Sequence, residues 1–253
     1  MSFDRAAAFY DATRGLPSDV QARLTAVLAA ELASVETCLE IGIGTGRIAL
    51  PLAAEGVSIV GVDIAPKMLQ RLVDNAGGEQ PFPLVVADVT DLPFPDDRFG
   101  AVLASHLLHL VPDWQTCVDE AARVLQPGGA LLVDFGRNPP APWHSTTSAI
   151  LRHHGVVLPR PGMTDPGPVA DYLGARARGR PLAPVTMTVE RTLAQDLADW
   201  EGRIHSWAWS AGDEQIESAL EEARRWASET GWSLDRRVEL HRTIQWWAFD
   251  LVP

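Results

Sequence analysis

The 253-residue sequence predicts an α/β fold built on a doubly wound, mostly parallel sheet. Three observations lead there. Short apolar runs alternate with segments of helical periodicity from about residue 18 to residue 135. Runs such as "VSIVGVDI" and "ALLVDF" are apolar at successive positions, as strands covered on both faces must be. A glycine-rich turn, "GIGTG", separates the first such run from the helical segment after it.

The elements follow in order. Ser18 is placed to cap a helix reaching about Ala33, with Val20, Leu24, Val27, Leu28 and Leu32 on its apolar stripe. "ETCLEIG" reads as a short buried strand, and "RIALPLAAEG" as a helix ended by Gly56 and kinked at Pro51. "VSIVGVDI" is the second strand, and Pro66 sits in the first turn of the next helix. "PLVVAD" is the third strand; "FGAVLASHLLHL" begins as a fourth and turns helical near His106. "WQTCVDEAARVLQPGG" reads as a helix with a glycine stop, and "ALLVDF" as the fifth strand. Proline and glycine then crowd residues 136–184, leaving two short helical segments near 145–154 and 169–178. "VTMTVERTL" and "HRTIQWWAFDL" read as strands with a helical stretch, about 194–230, between them. The expected organisation is a single domain, 1–253. Its core is about 1–135 with 185–192 and 238–252, and its helical cap about 136–184 and 193–236.

A formal net charge of -12 and a pI near 4.9 disfavour a nucleic-acid partner, because an acidic surface repels phosphate. Arg176, Arg178 and Arg180 are the nearest approach to a basic patch and read as a loop. Cys38 and Cys117 lack metal-ligand spacing and read as buried reduced thiols, and "HLLH" lacks a third ligand, so no metal site is expected. The stretch "MSFDRAAAFYDATRGLP" carries charge throughout, unlike a signal peptide. No window approaches the ~18 to 20 apolar residues of a membrane span. A cytoplasmic protein without a membrane partner, monomer or homodimer, is expected.

The glycine turn narrows the ligand. The dinucleotide fingerprint G-x-G-x-x-G starting at Gly42 would need glycine at residue 47, but that residue is Arg47 and the third glycine is Gly46. An acidic residue, Glu40, precedes the first glycine. A carboxylate at a strand end suits an ammonium group, and small glycines let the backbone approach a ligand closely. The spacing goes against a nicotinamide dinucleotide.

At this point the chain, over about residues 10–135, resembles the class I S-adenosylmethionine-dependent methyltransferases, particularly the branch that includes quinone-biosynthesis enzymes. "LEIGIGTGR" is similar to that family's first motif, "VGVDIAPKML" to its second-strand motif, "ADVTDLPFPDDRFG" to its third, and "LQPGGALLVDF" to its turn into the fifth strand. The resemblance implies a Rossmann-like, seven-stranded, mostly parallel sheet with a helical substrate cap, and S-adenosylmethionine as cofactor. It places Glu40, Gly42, Ile43, Gly44 and Gly46 at the methionine part of the cofactor, Asp63 on the ribose hydroxyls, and Ile64 and Met68 beside the adenine. Asp88 would accept from the adenine amino group, with the Val89 N–H donating to a ring nitrogen. Tyr10 and Arg14, an i, i+4 pair in "YDATRGLP", match the lid segment that approaches the cofactor carboxylate or the substrate. The family usually has Asp where this chain has Gly100, a departure read as the loss of one supporting hydrogen bond.

Ligands of such sheets sit beyond the carboxyl ends of the strands, which puts Ser105 and His106 near the reacting methyl group. His106 is the candidate general base, since imidazole titrates near neutrality, while His109 reads as a packing residue. Eight of nine tryptophans follow residue 140; Trp200 and Trp207 with His205 are candidate walls for a flat acceptor, or else anchors of the cap's own core. The expected function is methyl transfer to an O, N or C atom of a small apolar or aromatic molecule. A non-catalytic binding module, a nicotinamide oxidoreductase and an RNA methyltransferase are the alternatives.

Overall fold

The computed structural model describes residues 15–135, 139–158 and 162–252; Tyr10 and Arg14 lie outside them. The chain divides into two compact units: Met1–Arg137, Arg160–Val185 and Thr243–Pro253 form one, Asn138–Pro159 and Thr186–Arg242 the other.

The first unit is a seven-stranded sheet. Helix α1 (Ser18–Glu31) precedes β1 (Cys38–Ile41), α2 (Ala49–Ala54), β2 (Ile59–Asp63), α3 (Pro66–Asn75), β3 (Leu84–Val86) and β4 (Phe99–Ser105). Helix α4 (Trp114–Val124) leads into β5 (Leu125–Asp134). The strand order is β3-β2-β1-β4-β5, all parallel, extended by β9 (Trp246–Leu251) antiparallel to β5 and β6 (Ala177–Pro181) antiparallel to β9. All four residues of β1 are buried, as the central strand of a doubly covered sheet must be. The chain runs outward through β2 and β3, then returns to the other side of β1 as β4. The direction therefore reverses between β1 and β4, and the turn after β1 and the residues after β4 open into the same crevice.

Local chemistry explains the helix boundaries. Pro17 caps α1 without a side-chain bond, and Ser18 is already helical, so Ser18 is not the cap it was expected to be. Pro51 falls in the first turn of the six-residue α2, where a missing N–H leaves no bond unmade. Pro66 opens α3, whose Met68, Leu69 and Leu72 are buried. The Asp113 carboxylate caps α4, accepting from Thr116 N–H at 3.3 Å. From α4, Arg123 donates to the Leu92 and Phe94 carbonyls at 3.0 and 2.8 Å, and to Glu120 and Asp96. That fork pins the loop "LPFP" after β3.

Three expectations about the later elements are corrected. Residues 185–192 do not join the main sheet: β7 (Val185–Arg191) pairs with β8 (Val238–Ile244) in a separate two-stranded sheet. The last strand of the main sheet lies instead within the stretch expected to belong to the cap. Helix α6 (Pro166–Leu173) buries Val169 and Leu173 in the principal core cluster, and β6 follows it. Strand β6 reads "ARGRP" and is mostly exposed, so it has no apolar signature. Arg180 and the arginine of the preceding turn meet acids: Arg176 bonds Asp119 at 2.9 Å, and Arg180 bonds Asp250 at 2.7 Å and also Glu31. "HRTIQWWAFDL" likewise breaks into β8 and β9 at Gln245, whose amide donates to the Leu182 and Trp246 carbonyls at 2.7 and 2.9 Å.

The second unit has its own core. Helices α5 (His144–His153), α7 (Leu193–Glu201) and α8 (Asp213–Thr230) bury Ile150, Leu151, Leu193, Leu197, Ile216 and Leu220 around Trp143 and Trp200. Trp207, Trp226 and Trp232 pack against this cluster, so these tryptophans anchor the unit's own core. Thr192 and Gln195 form a reciprocal capping box at the start of α7. Trp143 Nε1 donates to Asp196 at 2.6 Å, and Arg191 donates to the same carboxylate at 2.8 Å and to Asp199. Both cysteines are free and buried, and burial pushes the Cys117 thiol up to about 12. Among the described residues no helix is long and apolar enough to cross a membrane.

Gly162 is the tightest backbone contact. Its N–H donates to the His109 carbonyl at 3.2 Å and Met163 N–H to that of Leu108 at 3.0 Å. A Cβ at 162 would lie 1.8 Å from the Leu108 oxygen and 2.5 Å from that of Val111. Neither carbonyl can yield as a side-chain tip could. Gly162→Ala is therefore expected to cost about 1–3 kcal/mol, read by urea unfolding, through overpacking against backbone. Unchanged stability would show that this close approach does not exist.

Candidate functional site

The turn after β1 needs its glycines. Gly42, Gly44 and Gly46 have φ of 64°, 58° and 82°, the left-handed region that side chains disfavour. A Cβ at 42 would also lie 2.7 Å from Leu107 Cδ1, beyond β4. The turn is fastened to the end of β2 by the carboxylate of Asp63. One oxygen accepts from Gly44 N–H at 2.9 Å, the other from Ala65 N–H at 2.8 Å. Ile43 and Met68 are buried on either side of this junction.

Beneath the turn lies Glu40, the third residue of β1 and only 2% exposed. Its carboxyl accepts from the Ala49 N–H at the start of α2, while Oε2 is buried with no hydrogen-bond partner. An unmatched buried carboxyl oxygen is costly, and the group answers by holding its proton. Burial pushes Glu40 up to about 8; Arg47 opposes the shift and Asp63 adds to it.

From the other side of the crevice come Ser105 and His106. Arg47 reaches the first of them, donating to Ser105 Oγ at 3.0 Å. His106 is a non-glycine residue with φ 49°, a conformation that costs energy and aims its ring away from the strand direction. His106 Nε2 lies 3.2 Å from Oδ2 of Asp134, the buried last residue of β5. At this distance an Nε2–H donates to the carboxylate and orients the ring. The His109 ring meets that of His106 edge-on at 6.3 Å and is only half-buried.

At the end of β3, Asp88 is exposed and accepts from Thr90 N–H and Oγ–H at 3.0 and 2.8 Å, which lowers its pKa below the usual carboxylate value. Val89 beside it is buried, and Ile64, following Asp63, is 46% exposed, an uncovered apolar side chain next to the turn. Gly100 stands at the opposite end of β4 from Ser105, where a Cβ would press on Val35 Cγ1 at 3.1 Å. Its departure from the family pattern therefore lies away from the crevice.

The structure thus brings Glu40, the glycines, Ile43, Asp63, Ile64 and Met68 to one junction, and Ser105 and His106 to the strand end beside it. Asp88 and Val89 sit at the end of the next strand out from β2. Arg47 and Asp134 were missed as site residues in the sequence. Asp134 was findable, since it ends an apolar strand on the same side of the sheet as Asp63. In the sequence Arg47 carries no signal beyond breaking the dinucleotide spacing.

Residues 39–133 match the methyltransferase-domain family. The fold is the Rossmann-like fold of the class I methyltransferases. A putative methyltransferase from Bacillus halodurans superposes with a TM-score of 0.61 over 94% of this chain and 100% of its own, at 17% identity. More particularly, the chain is 36% identical over 143 residues to a demethylmenaquinone methyltransferase of Clavibacter sepedonicus, covering 55% of this chain and 58% of that protein. It is 37% identical over 134 residues to the 27-O-demethylrifamycin SV methyltransferase of Amycolatopsis mediterranei, covering 50% of this chain and 49% of that protein. The chain spans about half the length of these curated relatives.

Glu40 yields a prediction with a definite sign. The unfolded chain releases its proton near the ordinary value of 4.5, whereas the native state keeps it to about 8, so its contribution to stability declines as pH rises through that window. Glu40→Gln has no proton to lose. Urea unfolding near pH 5 and pH 8 should show wild type losing stability relative to the variant at the higher pH. Parallel behaviour would mean that Glu40 is ionised in the native state throughout.

Proposed function

We propose that this chain is a methyltransferase that uses S-adenosylmethionine as donor and methylates a small apolar or aromatic molecule. The observation that carries the reading is the buried Glu40 carboxyl beneath a glycine turn, one oxygen without a partner. It fits a ligand that brings an ammonium group to bare backbone. The bound cofactor supplies an electrophilic methyl group on a sulfonium centre.

The chain's own residues hold and orient. Glu40 takes the ammonium; the glycine turn lets backbone N–H groups come close; Asp63, its carboxylate held at the strand end by the Gly44 and Ala65 N–H groups, takes the two vicinal hydroxyls. Ile64 and Met68 offer apolar surface to a purine, and Asp88 offers its second oxygen to an amino group. Tyr10 and Arg14 remain the proposed lid residues. Ser105, fixed by Arg47, and His106, fixed by Asp134, face the reacting side. His106 is the residue proposed to take the proton that a hydroxyl or amine acceptor gives up. Positioning does most of the catalytic work. The relatives named for a demethylmenaquinone and a 27-O-demethylrifamycin SV support a small-molecule acceptor. The net charge of -12 supports an acceptor other than nucleic acid.

The test is turnover of labelled S-adenosylmethionine with a panel of quinols, naphthols and phenolic polyketides. Methylated product is expected, and His106→Ala should lower kcat by ~10²-fold while affinity for S-adenosylhomocysteine stays the same. Tight binding of S-adenosylhomocysteine without transfer to any acceptor would favour a non-catalytic binding protein. No binding at all would remove the cofactor.

A further inference from the structure

In the second unit, α5 ends in two consecutive histidines, His153 and His154, against the flank of α8. Glu222 of α8 lies between them: its Oε2 is 3.1 Å from His153 Nδ1 and 2.7 Å from His154 Nε2. The three donor atoms all lie within 4.8 Å of one another, and among the described residues this is the group of three such side chains within ligand reach. No spacing rule finds it in sequence, because Glu222 is 68 residues from His154.

The platform is firm. Ile150 and Leu151 share a buried cluster with Ile216, Ala219, Leu220 and Ala223, so α5 and α8 are packed through their apolar faces. His154 N–H donates to the Ile150 carbonyl at 3.1 Å, and the His154 carbonyl accepts from Gln215 Nε2 at 3.0 Å. His154 and Glu222 side chains are 22% and 25% exposed, His153 71%, so the cluster has one side open to water. The ring donors of His154 and then His153 hold the Glu222 carboxyl below its usual range, keeping it anionic.

We propose that His153, His154 and Glu222 form a binding site for a borderline divalent cation, Zn²⁺ in particular, with at least one coordination position left to solvent. Two imidazoles and one carboxylate are ligands that Zn²⁺ and its transition-metal neighbours prefer, whereas Ca²⁺ and Mg²⁺ want mostly oxygen. Bonds of about 2.0–2.2 Å in tetrahedral arrangement put ligand atoms about 3.3–3.5 Å apart, so the present contacts need open by only several tenths of an ångström. Binding requires the lone pairs of His153 Nδ1 and His154 Nε2 to face the ion, with any ring proton carried on the other nitrogen. The ion replaces two hydrogen bonds with a clip between α5 and α8 and stabilises the native state by mass action.

The experiment titrates the full chain with Zn²⁺ alone against a chromophoric chelator, and compares thermal melts with Zn²⁺ and with EDTA. One equivalent should bind, and Zn²⁺ should raise Tm over EDTA. His154→Ala should weaken binding at least tenfold and abolish the Tm difference. Glu222→Gln, which keeps a hydrogen-bond acceptor between the rings, should do the same without disturbing the fold. Co²⁺ should show the visible ligand-field bands of a nitrogen-and-oxygen site in wild type and lose them in Glu222→Gln. Absence of stoichiometric binding, or equal affinity in wild type and Glu222→Gln, would overturn the proposal and leave the cluster a hydrogen-bonded latch between two helices.

Discussion

The carboxylate of Asp63 holds the crevice together. By accepting Gly44 N–H on one oxygen and Ala65 N–H on the other, it joins the turn after β1 to the start of the segment after β2. That junction is possible only because Gly42, Gly44 and Gly46 accept left-handed backbone, and because Gly61 on β2 leaves room for Ile43, whose Cδ1 would lie 2.4 Å from any Cβ there. Everything nearby inherits the constraint. Glu40 is trapped beneath the turn, Arg47 is delivered to Ser105, and Leu107 fills the space against Gly42.

A charged side chain is thus spent on backbone N–H groups at the junction, while another carboxyl on the neighbouring strand β1 is left with an unpartnered oxygen. The asymmetry has a physical cause. Asp63 sits at a strand end where two N–H groups converge, so its anion is satisfied. Glu40 sits inside the sheet's cover, where one N–H is available, and burial favours the neutral acid. Structure is fastened by the first, and the second is the group proposed to meet a ligand cation.

Much of this was legible in the sequence. The five parallel strands were readable because burial on both faces leaves continuous apolar runs, and the glycine turn because left-handed backbone selects one residue type. The edge of the sheet was not. "ARGRP" carries no apolar pattern, since an edge strand is paired on one side and exposed, whereas "VTMTVER" has an alternating pattern and pairs with β8 in a sheet of its own. The break at Gln245 depends on a side-chain amide reaching Leu182, a contact 63 residues away. Asp134 and His106 meet across neighbouring strands in the same manner, and the left-handed turn at His106 has no signature a histidine can show. The tryptophans, read either as walls for an acceptor or as anchors, proved to be anchors where Trp143 and Trp200 are buried in the second unit's core.

The central claim is that Glu40 keeps a proton until a cationic ligand arrives. Calorimetry of S-adenosylhomocysteine binding near pH 7, in two buffers of different ionisation enthalpy, tests it most directly. With Glu40 raised to about 8, wild type should release close to one proton on binding, seen as a heat that changes with the buffer, and Glu40→Gln should show no such change. A buffer-independent heat in wild type would contradict the claim.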